Sequence, residues 1–120
     1  MTMRFLILVK ANPTVERSIE SMSESAMKES LARMRNFNEA LKRAGVLKGC
    51  DGLLPSKNGK RVRFDGDGPS VTDRPFDGDF VEGYWIWELP SMDAAVEWLK
   101  RCPNPMPVPS DIEIRPMAGD

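Results

Sequence analysis

Arg4-Phe-Leu-Ile-Leu-Val9 is a short, continuously apolar and partly β-branched run. A run of this length and composition predicts a strand buried on both faces, and so a central position in its sheet. The flanking sequence has to supply the other strands and the cover. Polar residues 11–23 lead to a helix that starts at the capping-box spacing Ser21-x-x-Glu24, or at Ser23 or Ser25 acting as a simple cap. Met27, Leu31, Met34, Phe37, Leu41 and Ala44 follow at helical spacing, and Gly45 stands where a left-handed helix terminus is expected.

Residues 46–54 (VLKGCDGLL) resume as a strand interrupted by Gly49 and Gly52, which signal a bulge or a close backbone approach. The turn at 55–59 joins this strand to a second one, 61–64 (RVRF), in an expected hairpin. A second turn, Asp65-Gly-Asp-Gly-Pro69, precedes a brief extended piece at 71–73 and a loop at 74–81. Residues 82–89 carry Tyr84, Trp85, Ile86 and Trp87 and read as a strong strand. Alternation places Tyr84 and Ile86 on one face and the two tryptophans on the other.

Ser91 caps the second helix, with Asp93 in its first turn and a buried stripe of Met92, Ala95, Val96 and Leu99. The prolines between Cys102 and Pro109 forbid a helix and predict an extended connector, and 111–115 (DIEIR) alternates as a closing strand. The order β-α-β-β-β-α-β is that of an α+β fold, a ferredoxin-like split βαβ with an added hairpin strand, in one domain spanning 1–120. Two helices cover one face of such a sheet, so a second copy is expected on the other.

Composition narrows the chemistry. The 120 residues contain no histidine, which excludes Ser-His-Asp and Cys-His nucleophiles, imidazole acid–base catalysis and His-containing zinc sites. A net charge of −1 gives no footprint for nucleic acid or an anionic membrane. The apolar run near the N-terminus is far shorter than the roughly 20 residues that span a bilayer, and no A-x-A-like cleavage site follows it. A cytoplasmic location is expected. Cys50 and Cys102 are too few for a disulfide framework and are expected as buried thiols.

Asp65-Gly-Asp-Gly begins like a calcium loop, but Pro69, Ser70 and Phe76 occupy positions that need a ligand, a glycine and a bidentate glutamate. Gly66-x-Gly68 lacks the third glycine of a dinucleotide fingerprint. Neither a metal nor a cofactor is expected. The basic run Lys57, Lys60, Arg61, Arg63 lacks the aromatic signature of a single-strand RNA reader and reads as a solvated hairpin.

The segments RVRF (61–64), VTDRPF (71–76), GYWIWELPSMDAAVEWLKRCPNPMP (83–107) and IEIRP (112–116) resemble the YCII-related, or DGPF-domain, family across nearly the whole chain. The resemblance implies a dimeric α+β barrel, in which two ferredoxin-like sheets face each other across a cleft. It implies little about activity; some members are linked to extracytoplasmic-function sigma factors, which would make the chain an accessory of transcription. The family's Asp-Gly-Pro-Phe stands here as Asp73-Arg74-Pro75-Phe76, and without histidine the superfamily's His-Asp pair cannot form.

Within that frame Asp73 is the candidate catalytic base if it faces the cleft, or a turn cap if it does not. Arg63 and Arg115 are candidate ligand-binding guanidiniums; Arg115, opposite in phase to Ile112 and Ile114, would face the barrel, and either arginine would otherwise pair with an acid or with water. Tyr84 is a candidate stacking residue or packing group. A small polar or anionic molecule in the cleft of a homodimer is the leading expectation, and a proton-transfer or lyase-type enzyme with Asp73 as base is the alternative.

Overall fold

A computed structural model describes residues 1–72 and 76–119. Among these residues six strands and three helices are formed: β1 (Met3–Ala11), α1 (Pro13–Glu20), α2 (Glu24–Arg43), β2 (Leu47–Gly52), β3 (Arg61–Phe64), β4 (Pro69–Thr72), β5 (Phe80–Leu89), α3 (Met92–Lys100) and β6 (Ile112–Pro116), with a 3-10 turn at Ser56–Asn58. The main sheet is antiparallel in the order β2-β5-β1-β6, so β1 is central, as its apolar run predicts, and β2 and β6 are open edges. This is the ferredoxin-like arrangement within an α+β fold. The sheet of one chain is not closed into a barrel.

All three helices lie on one face. Phe5, Ile7 and Val9 of β1, Trp85, Trp87 and Leu89 of β5, Phe37 and Leu41 of α2 and Ala95 of α3 form one buried cluster, against which Ile112 and Ile114 pack. Ala11, Phe80 and Val15 of α1 form a smaller one at the end of the same face. Phe37 is the hub, its ring edge-on to Trp85, Trp87 and Trp98 at 6.1, 6.1 and 6.4 Å. Such edge-to-face contacts add to area burial about 0.5–1.5 kcal/mol each. The alternate residues Leu6, Leu8, Tyr84 and Ile86 share the opposite face, which no element among the described residues covers and where they remain half-buried. The smallest dimension of the molecule, 19 Å, is that of one sheet and one helix layer.

The helix ends follow the sequence. Ser23 caps α2 by accepting from the Ala26 amide, and Ser91 caps α3 through Ala94. Val46 N–H donates to Leu41 O and Gly45 N–H to Lys42 O, a Schellman closure that requires the φ of +73° at Gly45.

Five expectations are corrected. The polar segment after β1 contains α1, capped by Asn12 and started by Pro13, whose missing N–H costs nothing in a first turn. The strand 61–64 pairs with β4 in a hairpin of its own rather than with β2. The proline segment is not extended. Asn104 folds it by accepting from Met106 N and Ser110 Oγ and donating to Val108 O, which delivers Met106 to both apolar clusters. Within α3 the apolar side turns toward Ala94, Ala95, Trp98 and Leu99 and leaves Met92 exposed. Cys50 is exposed on the β2 edge and only Cys102 is partly buried, its thiol pushed up to about 12 by burial.

Candidate functional site

Gly83 shapes the floor of the site. It sits opposite Val9 and Gly52, and a Cβ there would come within 3.2 Å of the Asp51 carbonyl oxygen, so β2 and β5 approach closely only because this residue is glycine. Immediately before it, the pairing of β5 with β1 slips. Val9 lies opposite Gly83 and Lys10 opposite Val81, which leaves Glu82 as the extra residue of a bulge. A bulge re-aims its side chain relative to the strand alternation.

Above this floor lies a cavity of about 200 Å³ between α2, the β2–β5 pair and the proline segment. Val9, Met34, Trp85, Pro105 and Met106 give it apolar walls; Asn38, Cys50 and Glu82 are among its polar residues. The Trp85 indole N–H donates to Asn38 Oδ1 at 2.7 Å. Only the amide oxygen can accept from an indole, so this bond orients the Asn38 side chain and leaves its two N–H groups available to a guest.

Glu82 joins the cavity to α1. Its carboxyl is hydrogen-bonded to that of Glu16. Glu16 is held from the far side, Oε2 accepting from Ser56 N at 2.7 Å and Oε1 from Ser56 Oγ at 2.6 Å. Two carboxyl groups in contact cannot both ionise cheaply, and the environment decides which keeps the proton. Burial, followed by the hydrogen bond and the negative charge of Glu16, raises the Glu82 carboxyl to about 8. Burial also acts upward on Glu16, but the hydrogen bonds from Glu82 and Ser56, with Lys57 nearby, outweigh it and hold Glu16 below its ordinary value. Near neutral pH the proton therefore resides on Glu82.

The residues nominated from sequence are dispersed. Tyr84, opposite Leu8, and Arg115, opposite Leu6, flank β1 on the open face, as phase predicts for Arg115. The backbone alternation directs Tyr84 away from the helices, although it borders the cavity. Arg63 belongs to the separate β3–β4 hairpin, exposed, with its Nε 3.8 Å from Asp65 Oδ2. It does not share a sheet face with Arg115. Asp73 lies outside the described residues. Phe76, the next described residue, packs edge-on to Phe80, covers Gly59 and carries the Arg61 guanidinium 4.2 Å above its ring.

Glu16, Ser56, Asn38 and the acid role of Glu82 escape the sequence reading. The Asn12-Pro13 pair is a helix-start signal that would have placed Glu16 in a first turn. Nothing local marks Asn38, which owes its place to a tryptophan 47 residues away. Among the described residues no group of three His, Cys, Asp or Glu is placed to hold a metal ion, and no helix is long and apolar enough to cross a membrane.

Fold and cavity together define a small α+β domain of ferredoxin-like topology, with a pocket between its helices and sheet. Residues 3–117 match the YCII-related domain, and the chain belongs to that family. Comparison with curated proteins gives no match.

Proposed function

We propose that the protein is a homodimer whose subunits each bind one small organic molecule in the cavity over Gly83. The observation that carries the ligand site is the cavity itself: apolar walls, an oriented Asn38 amide and a carboxyl group at one end, the usual composition of a small-molecule pocket. The dimer draws its support from the open face, where Leu6, Leu8, Tyr84 and Ile86 form a contiguous apolar centre with Arg4, Lys10 and Glu88 on the same strands and Glu113 and Arg115 on β6 among its neighbours. Two such faces brought together would bury the apolar residues, and Tyr84 and Arg115 would then line the cleft between the sheets, where an anionic group would meet the guanidinium.

Trp85 forms a cavity wall, so its fluorescence reports occupancy. Titration with benzyl alcohol is expected to give a saturable change that Met34→Trp, which fills the space, abolishes without loss of fold. A linear, unsaturable response in both proteins would remove the ligand site.

A second reading, acid–base catalysis of proton transfer, is favoured by the Glu82 carboxyl. An acid protonated near neutral pH at the wall of a pocket is suited to proton donation, with Glu16 as the fixed anion that orients it. In this reading Asp73, which follows Thr72 in the sequence, remains the proposed base.

A further inference from the structure

The polarity of the cavity is one-sided. Its residues include Glu82 and Asp51 and, among the described residues, no Lys or Arg, while the far side of Glu82 abuts the Glu16 carboxylate. An anionic guest would enter against these carboxyl groups with no cation to receive it. An ammonium group would instead find the Glu82 carboxyl, whose proton it can replace, with the Glu16 carboxylate behind it.

We propose that the cavity receives a small organic amine, its ammonium group beside Glu82 and its apolar body against Val9, Met34, Trp85 and Met106. The amine site presupposes that the cavity is a ligand site and specifies which guests it selects. On binding, Glu82 gives its proton to solvent and remains as a carboxylate paired with the ammonium. The one bond broken is the Glu82 O–H, whose proton passes to water or buffer, and charge balances because one proton leaves for each cation bound. Glu16 stays ionised throughout, fixed by both donors of Ser56.

The charged surroundings of this exchange are known from each side. α1 contributes Glu16, with Arg17 and Glu20 nearby, and the 3-10 turn contributes Lys57. β2 contributes Asp51 and Cys50 and β5 the Tyr84 phenol, whereas α2, β1 and the proline segment present Asn38, Met34, Val9, Pro105 and Met106, none of which titrates. Lys10, the cation next to Val9, is engaged with Glu113 at 3.7 Å on the open face. Glu82 is thus the group whose ionisation is coupled to the guest.

Three probes of similar size and different charge test this: benzylammonium, benzyl alcohol and benzoate, titrated by calorimetry from pH 6 to 9. Benzylammonium is expected to bind at least about tenfold tighter than benzoate, its affinity rising by close to tenfold per pH unit below about 8 and levelling above, as loss of one proton requires. Calorimetry in buffers of different ionisation enthalpy should count nearly one proton released. Glu82→Gln should abolish the pH slope of amine binding; the slope of the unmodified protein tests the proposal even if that variant fails to fold. Benzyl alcohol or benzoate binding as tightly as benzylammonium, or an amine affinity independent of pH, would overturn the amine site and leave the cavity a ligand site. Failure of all three probes to bind would overturn both.

Discussion

The two faces of the central sheet are built from the same two strands and differ in everything that follows. On one side Phe5, Ile7, Trp85 and Trp87 are closed in by α2 and α3, and Phe5, Ile7 and Trp87 are fully buried. On the other, residues one step along the same strands, Leu6, Leu8, Tyr84 and Ile86, have no partner element among the described residues. Strand alternation alone produces the contrast, because successive side chains point to opposite faces. A strand that is apolar at both phases, as β1 is, has a sequence written for two partners, and one chain supplies a single cover.

The covered face should bear the largest losses. Trp87→Ala is expected to cost about 3–5 kcal/mol, the range for deleting a buried aromatic side chain, measured by denaturant unfolding. Tyr84→Ala, on the other face, should cost the isolated subunit much less. Equal losses would mean that the open face is as well packed as the core.

The next effect concerns association. Leu8→Glu places a charge in the centre of the open face, where it would be desolvated against a partner. The variant should sediment as a monomer with an unchanged far-ultraviolet circular dichroism spectrum. A dimer that tolerates this charge would place the interface elsewhere.

The third compares the two tryptophans of the covered face. Trp85→Phe strips Asn38 Oδ1 of its donor, whereas Trp87→Phe removes an indole N–H that is buried without a partner. An orphaned buried polar group costs about 1–3 kcal/mol, so Trp87→Phe should be the milder change by about 1 kcal/mol. The reverse order would show that packing volume, not polar satisfaction, ranks these positions.

A pH effect of known sign follows from the carboxyl pair. Glu82 holds its proton up to about 8 in the folded protein but only to about its ordinary 4.5 when unfolded. Its contribution is therefore fully present below about 4.5 and is lost as pH rises toward 8. Glu16 is shifted the other way, so its contribution is present above its ordinary value and lost as pH falls. The melting temperature should decline from pH 5 to 8 and level beyond, and Glu82→Gln should flatten that decline. The smallest expected change is Ser91→Ala, about 0.5–2 kcal/mol for loss of the α3 cap seen by thermal melting.

What the sequence made legible is what depends on near neighbours. The period of β1 and β5, the Ser91 cap and the glycine at the end of α2 all act within a few residues, and each is found where its pattern places it. The pairing of β3 with β4 instead of β2 was not legible, because both alternatives satisfy the same turn chemistry. Nor was the fold of the proline segment, where the side chain of one asparagine makes three hydrogen bonds that no proline rule anticipates. The carboxyl pair joins positions 66 residues apart through a helix hidden in a polar stretch, and a bulge turns Glu82 out of the alternation by which strand residues are assigned to faces.

The central claim is that the open face of the sheet is half of an interface. Light scattering coupled to size-exclusion chromatography at micromolar concentration tests it most directly. A mass twice that of one chain, falling to that of one chain in Leu8→Glu, is the predicted result. A single-chain mass for the unmodified protein across the concentration range would contradict it, and would leave Leu6, Leu8, Tyr84 and Ile86 as an apolar surface without a partner.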